Sequence, residues 1–436
     1  MIEVINSRDR QRLADKLQRV RERSVVLDAD LLSQVGAIIA DVRRRGDLAL
    51  LDYAERFDGC VMQASDLRIN HQELRQIAAS ADVKVLEALR EAIANVRRFH
   101  EHERQQSWEI EPEQGVRLGQ RITPIERVGL YVPGGTASYP SSVVMNVVPA
   151  QVAGVARIIV ATPPRSLREN PAVAAALLDL GIDEVYAVGG AQAIAALAFG
   201  TETVPRVDKI TGPGNRYVAA AKKLVFGMVG IDSIAGPSEV AIIADDTARA
   251  EFLAADLLAQ AEHAEDASAI LLTASEQLAK DVCDEVSRQM EPLPRRATVE
   301  KSLTQYGAVL LVRDLDEACA IVNTLAPEHL EIITVDDEMV AARIQHAGAI
   351  FFGSYTPEVV GDYFAGPNHV LPTAGAARFS SALSVLDFVR RTSVLRYSRA
   401  ALKQSAEKIA TLAKAEGLEA HARSAAIRFD QLMSQR

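Results

Sequence analysis

The sequence predicts an α/β fold with parallel-rich sheets, and two observations carry that expectation. From Arg127 onward, short apolar runs alternate with Gly-rich turns and helical stretches, and this strand–turn–helix rhythm repeats four times before residue 227. The same rhythm resumes after Gly236, so a second α/β unit follows the first. A chain of 436 residues is also too long for one ordinary core, which suits two units.

Residues 1 to about 125 read as mostly helical. Leu31, Leu32, Val35, Ile38, Ile39 and Val42 recur at helical spacing until Gly46 stops the run, and 48–57 continues it. A long amphipathic helix is expected over 84–105, with Val85, Leu86, Leu89, Ile93 and Val96 on one side. His100 and His102 at its charged end read as surface residues. In the first α/β unit, strands are expected at 128–132, 157–162, 184–188 and 207–210. The helices between them start at Ser141, cover 172–180 and 191–199, and end near Phe226. In the second unit, strands are expected at 240–244, 269–273, 308–312, 331–335 and 349–352, with helices over 248–265 and 275–290. Asp314 and Glu317 have capping-box spacing for a helix that Pro327 ends. Past Arg390 the chain reads as helix again, with a clean apolar face over 402–413. An amphipathic tail must bury that face, and a partner subunit offers a place.

Composition narrows the function. A net charge of −10 argues against nucleic acid, because a phosphate-binding surface needs a basic stripe. The first ten residues carry acids and no apolar core, unlike a signal peptide. The most apolar stretch, 143–162, is broken by Asn146, Pro149, Gln151 and Arg157, so no membrane span is expected and the cytoplasm is the default. Cys60, Cys283 and Cys319 are far apart and form no paired motif; none has the setting of a nucleophile or a metal cluster.

Several stretches carry candidate chemistry. In Gln260-Ala-Glu-His263, near the end of an apolar helix, Leu253, Asp256, Leu257, Gln260 and His263 share one face. An amide oxygen and an imidazole so placed can hold one edge of a divalent metal, though a helical His also serves simply as a local hydrogen-bonding group. Gly-rich turns at 133–135, 189–190 and 212–214 end strands where helix N-termini collect ligands. They suit a nucleotide cofactor or plain tight turns. The dinucleotide fingerprint itself is absent, because Tyr217 stands where its third glycine belongs. Glu328-His329 follows Pro327 at a helix-to-strand junction, either as an acid–base pair or as a capped helix end. The stretch 355–375 reads as a long loop, in which Asp362 can complete a metal site and His369 can hold a substrate carboxylate. His71 and His346 read as surface residues.

Taken together, the motifs resemble histidinol dehydrogenases. Tyr131-Val-Pro-Gly-Gly135, Tyr139-Pro-Ser-Ser142, Gly189-Gly-Ala-Gln-Ala-Ile-Ala195, Gly212-Pro-Gly-Asn215 and Ala235-Gly-Pro-Ser-Glu239 stand in the family's order. They are followed by Gln260-Ala-Glu-His263, Ala326-Pro-Glu-His-Leu330, Gly361-Asp-Tyr363, Gly366-Pro-Asn-His-Val-Leu-Pro-Thr373 and the segment from Glu416-Gly-Leu418 to His421. The resemblance implies two incomplete Rossmann-like units with small helical N- and C-terminal tail domains. Its layout is 1–23 as an N-terminal helical tail, 24–130 with 239–383 as the metal and catalytic domain, 131–238 as the NAD side, and 384–436 as a helical tail reaching the partner. It implies a homodimer oxidising L-histidinol to L-histidine through L-histidinaldehyde, with one zinc per subunit and NAD. Zinc would be held by Gln260, His263 and Asp362, with His421 from the other subunit. These four would also meet the substrate, together with Ser238, His329, His369 and, across the interface, Glu416. Glu328 and His329 would be the acid–base residues, and NAD would lie against Tyr131, Gln192 and Asn215.

Two other readings compete. A paralogue on the same scaffold would oxidise another small polar alcohol; the segment 416–421 favours the histidine enzyme. A two-lobed solute-binding protein would need export, and no signal sequence is seen.

Overall fold

The structure, a computed structural model, describes residues 2–23, 27–134 and 139–429. Two compact units emerge: one comprises residues up to Glu103 together with Ile125–Phe388, the other Arg104–Pro124 with residues from Val389 onward.

The larger unit contains two six-stranded sheets. In the first, Arg127–Tyr131, Arg157–Thr162, Glu184–Ala187, Lys209–Thr211 and Gly230–Ile231 run parallel. Numbered along the chain, these strands lie in the order 3-2-1-4-5, that of a doubly wound unit lacking its sixth strand. Arg68–Ile69 adds an antiparallel edge. The second sheet repeats the order with Glu239–Ala244, Ser268–Thr273, Ala308–Leu311, His329–Ile333 and Ala349–Phe352, all parallel, and Glu3–Asn6 joins its edge beside Ala308–Leu311.

Both faces of each sheet are covered, which is why the strands read as continuous apolar runs. Along Arg157–Thr162, Ile159 and Ala161 enter one core while Val160 enters the other. Along Glu239–Ala244, Val240, Ile242 and Ala244 pack with helices Ala250–Ala261 and Glu276–Met290, and Ala241 and Ile243 pack with helix Leu315–Leu325. Among the described residues no helix is long and apolar enough to cross a membrane.

The structure departs from the sequence expectation in several places. The stretch 24–130, expected with 239–383, divides: 104–124 falls in the smaller unit, and much of the rest packs with the first sheet. Leu31, Val35, Ile39 and Val42 pack on its Ile159 and Ala161 face, and two of its strands come from this stretch. The apolar stripe of helix Ala29–Arg45 finds its complement there. The segment 1–23 is not helix alone, because Glu3–Asn6 buries Ile5 as an edge strand before helix Arg10–Glu22. The C-terminal tail is not helix alone either. Val389–Tyr397 pairs antiparallel with Val116–Pro124, which pairs with Trp108–Glu113. All six residues of Trp108–Glu113 are exposed; Trp108, Ile110 and Pro112 alternate with glutamates, a strand signal that the reading of this stretch as helical passes over. The loop 355–375 contains a helix, Glu358–Tyr363. The strand expected at 331–335 begins two residues earlier, so His329 is its first residue. His100 is buried, its Nδ1 2.6 Å from Glu103. Only half the capping box forms: Asp314 accepts the Glu317 N–H, but Glu317 accepts from Arg313.

Two glycines predict opposite signs. Gly212 has φ +113° and a Cβ there would lie 2.1 Å from the Tyr131 carbonyl oxygen. Gly212→Ala should therefore destabilise by at least about 1–3 kcal/mol in urea unfolding. Gly36, inside a helix with nothing within 4 Å of its added Cβ, should give a gain of up to about 1 kcal/mol as Ala.

Candidate active site

Each sheet gathers candidate residues at one edge. In the first sheet the chain leaves the neighbouring strands Arg127–Tyr131 and Lys209–Thr211 at a topological switch point, where ligands collect beyond the carboxyl ends. Tyr131 and Asn215 flank that crevice. The Tyr131 hydroxyl accepts the Gly190 N–H at 3.0 Å, and burial pushes its phenol up to about 12. Asn215 caps helix Arg216–Val225, its Oδ1 accepting from Tyr217 and Val218 at 3.0 and 3.2 Å. The turn between them is pinned: Gly212 donates to Asp232 at 2.8 Å and accepts from Lys222 at 3.0 Å, and Lys222 pairs with Asp232 in the interior. Gln192 is buried in the first turn of helix Gly190–Phe199. Gly135, of the turn at 133–135, lies outside the described residues.

In the second sheet the candidates sit at the amino edge. Helix Ala250–Ala261 returns antiparallel to strand Glu239–Ala244 and brings Gln260 and His263 back to that edge. His263 Nδ1 lies 3.1 Å from the Ala259 carbonyl, which can only accept, so the proton sits on Nδ1 and the Nε2 lone pair is free. That Nε2 is 3.9 Å from Asp362. The other oxygen of Asp362 is 3.7 Å from His329 Nε2. His329 Nδ1 donates to the Glu239 carbonyl at 3.2 Å and has Glu358 at 3.7 Å and Glu328 at 3.8 Å. The Glu239 N–H donates to Glu328 Oε2 at 3.0 Å. Among the described residues, buried atoms without a hydrogen-bond partner cluster here: Gln260 Oε1, His329 Nε2, both oxygens of Glu358 and His369 Nε2.

Crowding of acids shapes the electrostatics. Burial pushes Glu328 up to about 7, despite the His329 ring beside it. Burial opposes charge on His329, but Glu328, Glu358 and Asp362 outweigh it and lift the ring to about 10. Burial, reinforced by Asp362 and Glu328, takes Glu358 to about 8. Burial pushes Asp362 up as well, but the imidazoles of His329, His369 and His263 prevail and hold it below the usual range. Burial lowers His369 even beside Asp362. Behind the site, Asp256 and Glu331 hydrogen-bond to each other, and burial raises Asp256 to about 6 and Glu331 well above its usual value.

The stretch 366–374 ties the two sheets together within the larger unit. Asn368 donates to the Met145 carbonyl at 2.6 Å, on the helix that follows Tyr131, and Ala374 donates to Glu239 at 2.6 Å. Thus Gln260, His263, Glu328, His329 and Asp362 converge, with Ser238 and His369 beside them. Glu416 and His421 belong to the smaller unit and are exposed. Burial raises the thiols of Cys283 and Cys319, away from nucleophilic character.

The sequence reading missed two carboxylates. Glu358 meets His263 and Asp362 with ligand atoms within 4.8 Å of one another; Thr356-Pro357-Glu358 is a helix-start signal inside the presumed loop. Glu239, whose peptide touches both Glu328 and His329, closes the motif Ala235-Gly-Pro-Ser-Glu239, but nothing local marks a role for it.

The comparisons with known proteins agree with one another. The histidinol dehydrogenase family model matches residues 21–429. The chain is 56% identical over 395 residues to a histidinol dehydrogenase of Geobacillus kaustophilus, covering 90% of this chain and 93% of that one. It is 53% identical over 397 residues to one from Halalkalibacterium halodurans, covering 91% and 93%. The crystal structure of histidinol dehydrogenase from Elizabethkingia anophelis superimposes with a TM-score of 0.91 at 35% identity, over 98% of each chain. In sequence and in fold alike, this chain belongs to the histidinol dehydrogenase family.

Proposed function

We propose that the chain oxidises L-histidinol to L-histidine through L-histidinaldehyde, using NAD twice and zinc as its resident metal, with each site completed by a second copy of the chain. One observation carries the reading: Asp362 stands between two imidazoles, 3.9 Å from His263 and 3.7 Å from His329, so a metal-type ligand and a proton-handling ring share one carboxylate.

The donor set fits zinc. Gln260 Oε1 is buried without a partner among the described residues, His263 keeps Nε2 free, and Asp362 adds a hard oxygen. These three would hold the ion, with His421 of the partner subunit as the fourth ligand. When bound, the zinc supplies a fixed grip on the substrate's imidazole and amine, so its contribution is placement. Tyr131, Gln192 and Asn215 would hold NAD, which would supply the hydride acceptor for both oxidations. Ser238, His369 and Glu416 of the partner subunit would hold the remaining substrate groups.

The chain's own residues handle the protons. Because His329 Nδ1 donates to the Glu239 carbonyl, its Nε2 is the atom that takes the proton from the substrate hydroxyl. A cation in the same pocket opposes protonation of that ring and keeps it available as a base. Glu328, anchored by the Glu239 N–H, removes a proton from the water that adds to the aldehyde. A thiol route would need an activated cysteine, and the raised thiols of Cys283 and Cys319 favour the hydrate instead. The smaller unit supports the dimer: Trp108, Ile110, Leu395 and Leu412 are large apolar side chains left exposed on it, a surface suited to burial against another copy.

Zinc-loaded protein should form two NADH per histidinol; one NADH with free aldehyde would contradict the four-electron reaction. Glu328→Gln should lower kcat by about 10²–10⁴-fold with zinc content unchanged by metal analysis. Mixing His421→Ala with Glu328→Ala subunits tests the shared site. Hybrid dimers should recover about half the sites if the last ligand crosses the interface, and none if each site is built within one chain.

A further inference from the structure

We infer that Arg23 and Glu239 form a positioning pair, through which the N-terminal arm sets the placement of the acid–base residues. The inference rests on the reading of Glu328 and His329 as those residues. Every polar atom of Glu239 is committed. Its N–H donates to Glu328 at 3.0 Å, and its carbonyl accepts from His329 Nδ1 at 3.2 Å. One carboxylate oxygen accepts from Ala374 N–H at 2.6 Å, the other from Arg23 at 3.2 Å. One residue thus touches the water-activating carboxyl, the base and the loop that carries His369.

Arg23 is equally committed. It follows helix Arg10–Glu22, lies 216 positions from Glu239 in sequence, and its side chain is 3% exposed. Its guanidinium donates to the carbonyls of Val20 at 3.0 Å, Ser238 at 3.1 Å and Asp266 at 2.5 Å, besides Glu239. The planar fork holds both the Ser238 carbonyl and the Glu239 carboxylate, so it fixes the Ser238–Glu239 backbone from two sides. Neither side chain reaches the orphaned atoms Gln260 Oε1 or His329 Nε2, so neither is assigned a place on zinc or substrate. Their contribution is to hold the peptide that orients Glu328 and His329, and a shift of about 1 Å in such groups costs on the order of 10²-fold in rate.

The test uses full-length, zinc-loaded enzyme carrying Arg23→Met, alone and with Glu239→Gln. The double variant keeps an oxygen for the Ala374 N–H and no longer leaves a carboxylate without its cation. Arg23→Met should lower kcat about 10- to 100-fold while the KM for histidinol and the zinc content stay within about twofold, and the double variant should regain part of the lost kcat. An unchanged kcat, a fall of kcat and zinc content in step with loss of folded protein, or a double variant no better than the single one overturns the inference. Glu328→Gln is run alongside. Activity kept there overturns the acid–base reading itself, whereas activity lost there but kept in Arg23→Met overturns only the positioning role.

Discussion

The parallel pairing of Val240 with His329 is the constraint on which the site depends. It sets the peptide of Glu239 beside Glu328 and His329, so that one backbone unit donates to the carboxyl and accepts from the ring. Side chains alternate along a strand, and a slip of one residue would turn His329 to the other face. The long apolar runs on both sides of these strands make that slip costly, so catalytic geometry is secured by the sheet's core. The same sheet order brings the end of helix Ala250–Ala261 back to the amino edge, where His263 meets Asp362 and Gln260 lies against His263. The two sheets thus use opposite edges: the first offers its carboxyl-end switch point, the second its amino edge, and the stretch 366–374 joins them.

The pocket so formed is short of positive charge. Glu328, Glu358 and Asp362 surround one imidazole, and Asp256 and Glu331 lie behind it, all partly or wholly out of water. Burying unpaired carboxylates is costly, and the upward shifts of Glu328 and Glu358 register that cost. A dication among these groups changes the balance, since it would be the largest local charge. The orphaned oxygen of Gln260 belongs to the same pattern: a polar atom without a partner in a well-packed interior marks a place kept for a ligand.

Much of this was legible in the sequence, for physical reasons that also explain the failures. Strands buried on both faces read as apolar runs between Gly-rich turns, so the alternating strands and helices of both sheets stood out, and 157–162 and 349–352 matched residue for residue. Gln260 and His263 were visible through their helical spacing, although the helix ends at Ala261, short of the expected 265, and His263 lies just past its cap. Trp108–Glu113 and Val389–Tyr397 were not read as strands: the first alternates Trp, Ile and Pro with Glu but is short and wholly exposed, and the second is nearly all exposed. The docking of helix Ala29–Arg45 on the first sheet was also hidden, because a helix stripe shows that it is buried but not against what. Glu358 was lost within an assumed loop. The bond between Arg23 and Glu239 spans most of the chain, and no local pattern encodes a contact of that length.

The central claim, that Gln260, His263 and Asp362 surround a single metal ion beside His329, is tested most directly by X-ray absorption at the zinc edge of the loaded protein. The account predicts a shell of nitrogen and oxygen donors at roughly 2.0–2.2 Å with imidazole scattering that weakens in His263→Ala. Sulfur at about 2.3 Å, or a shell that His263→Ala leaves unchanged, would contradict it.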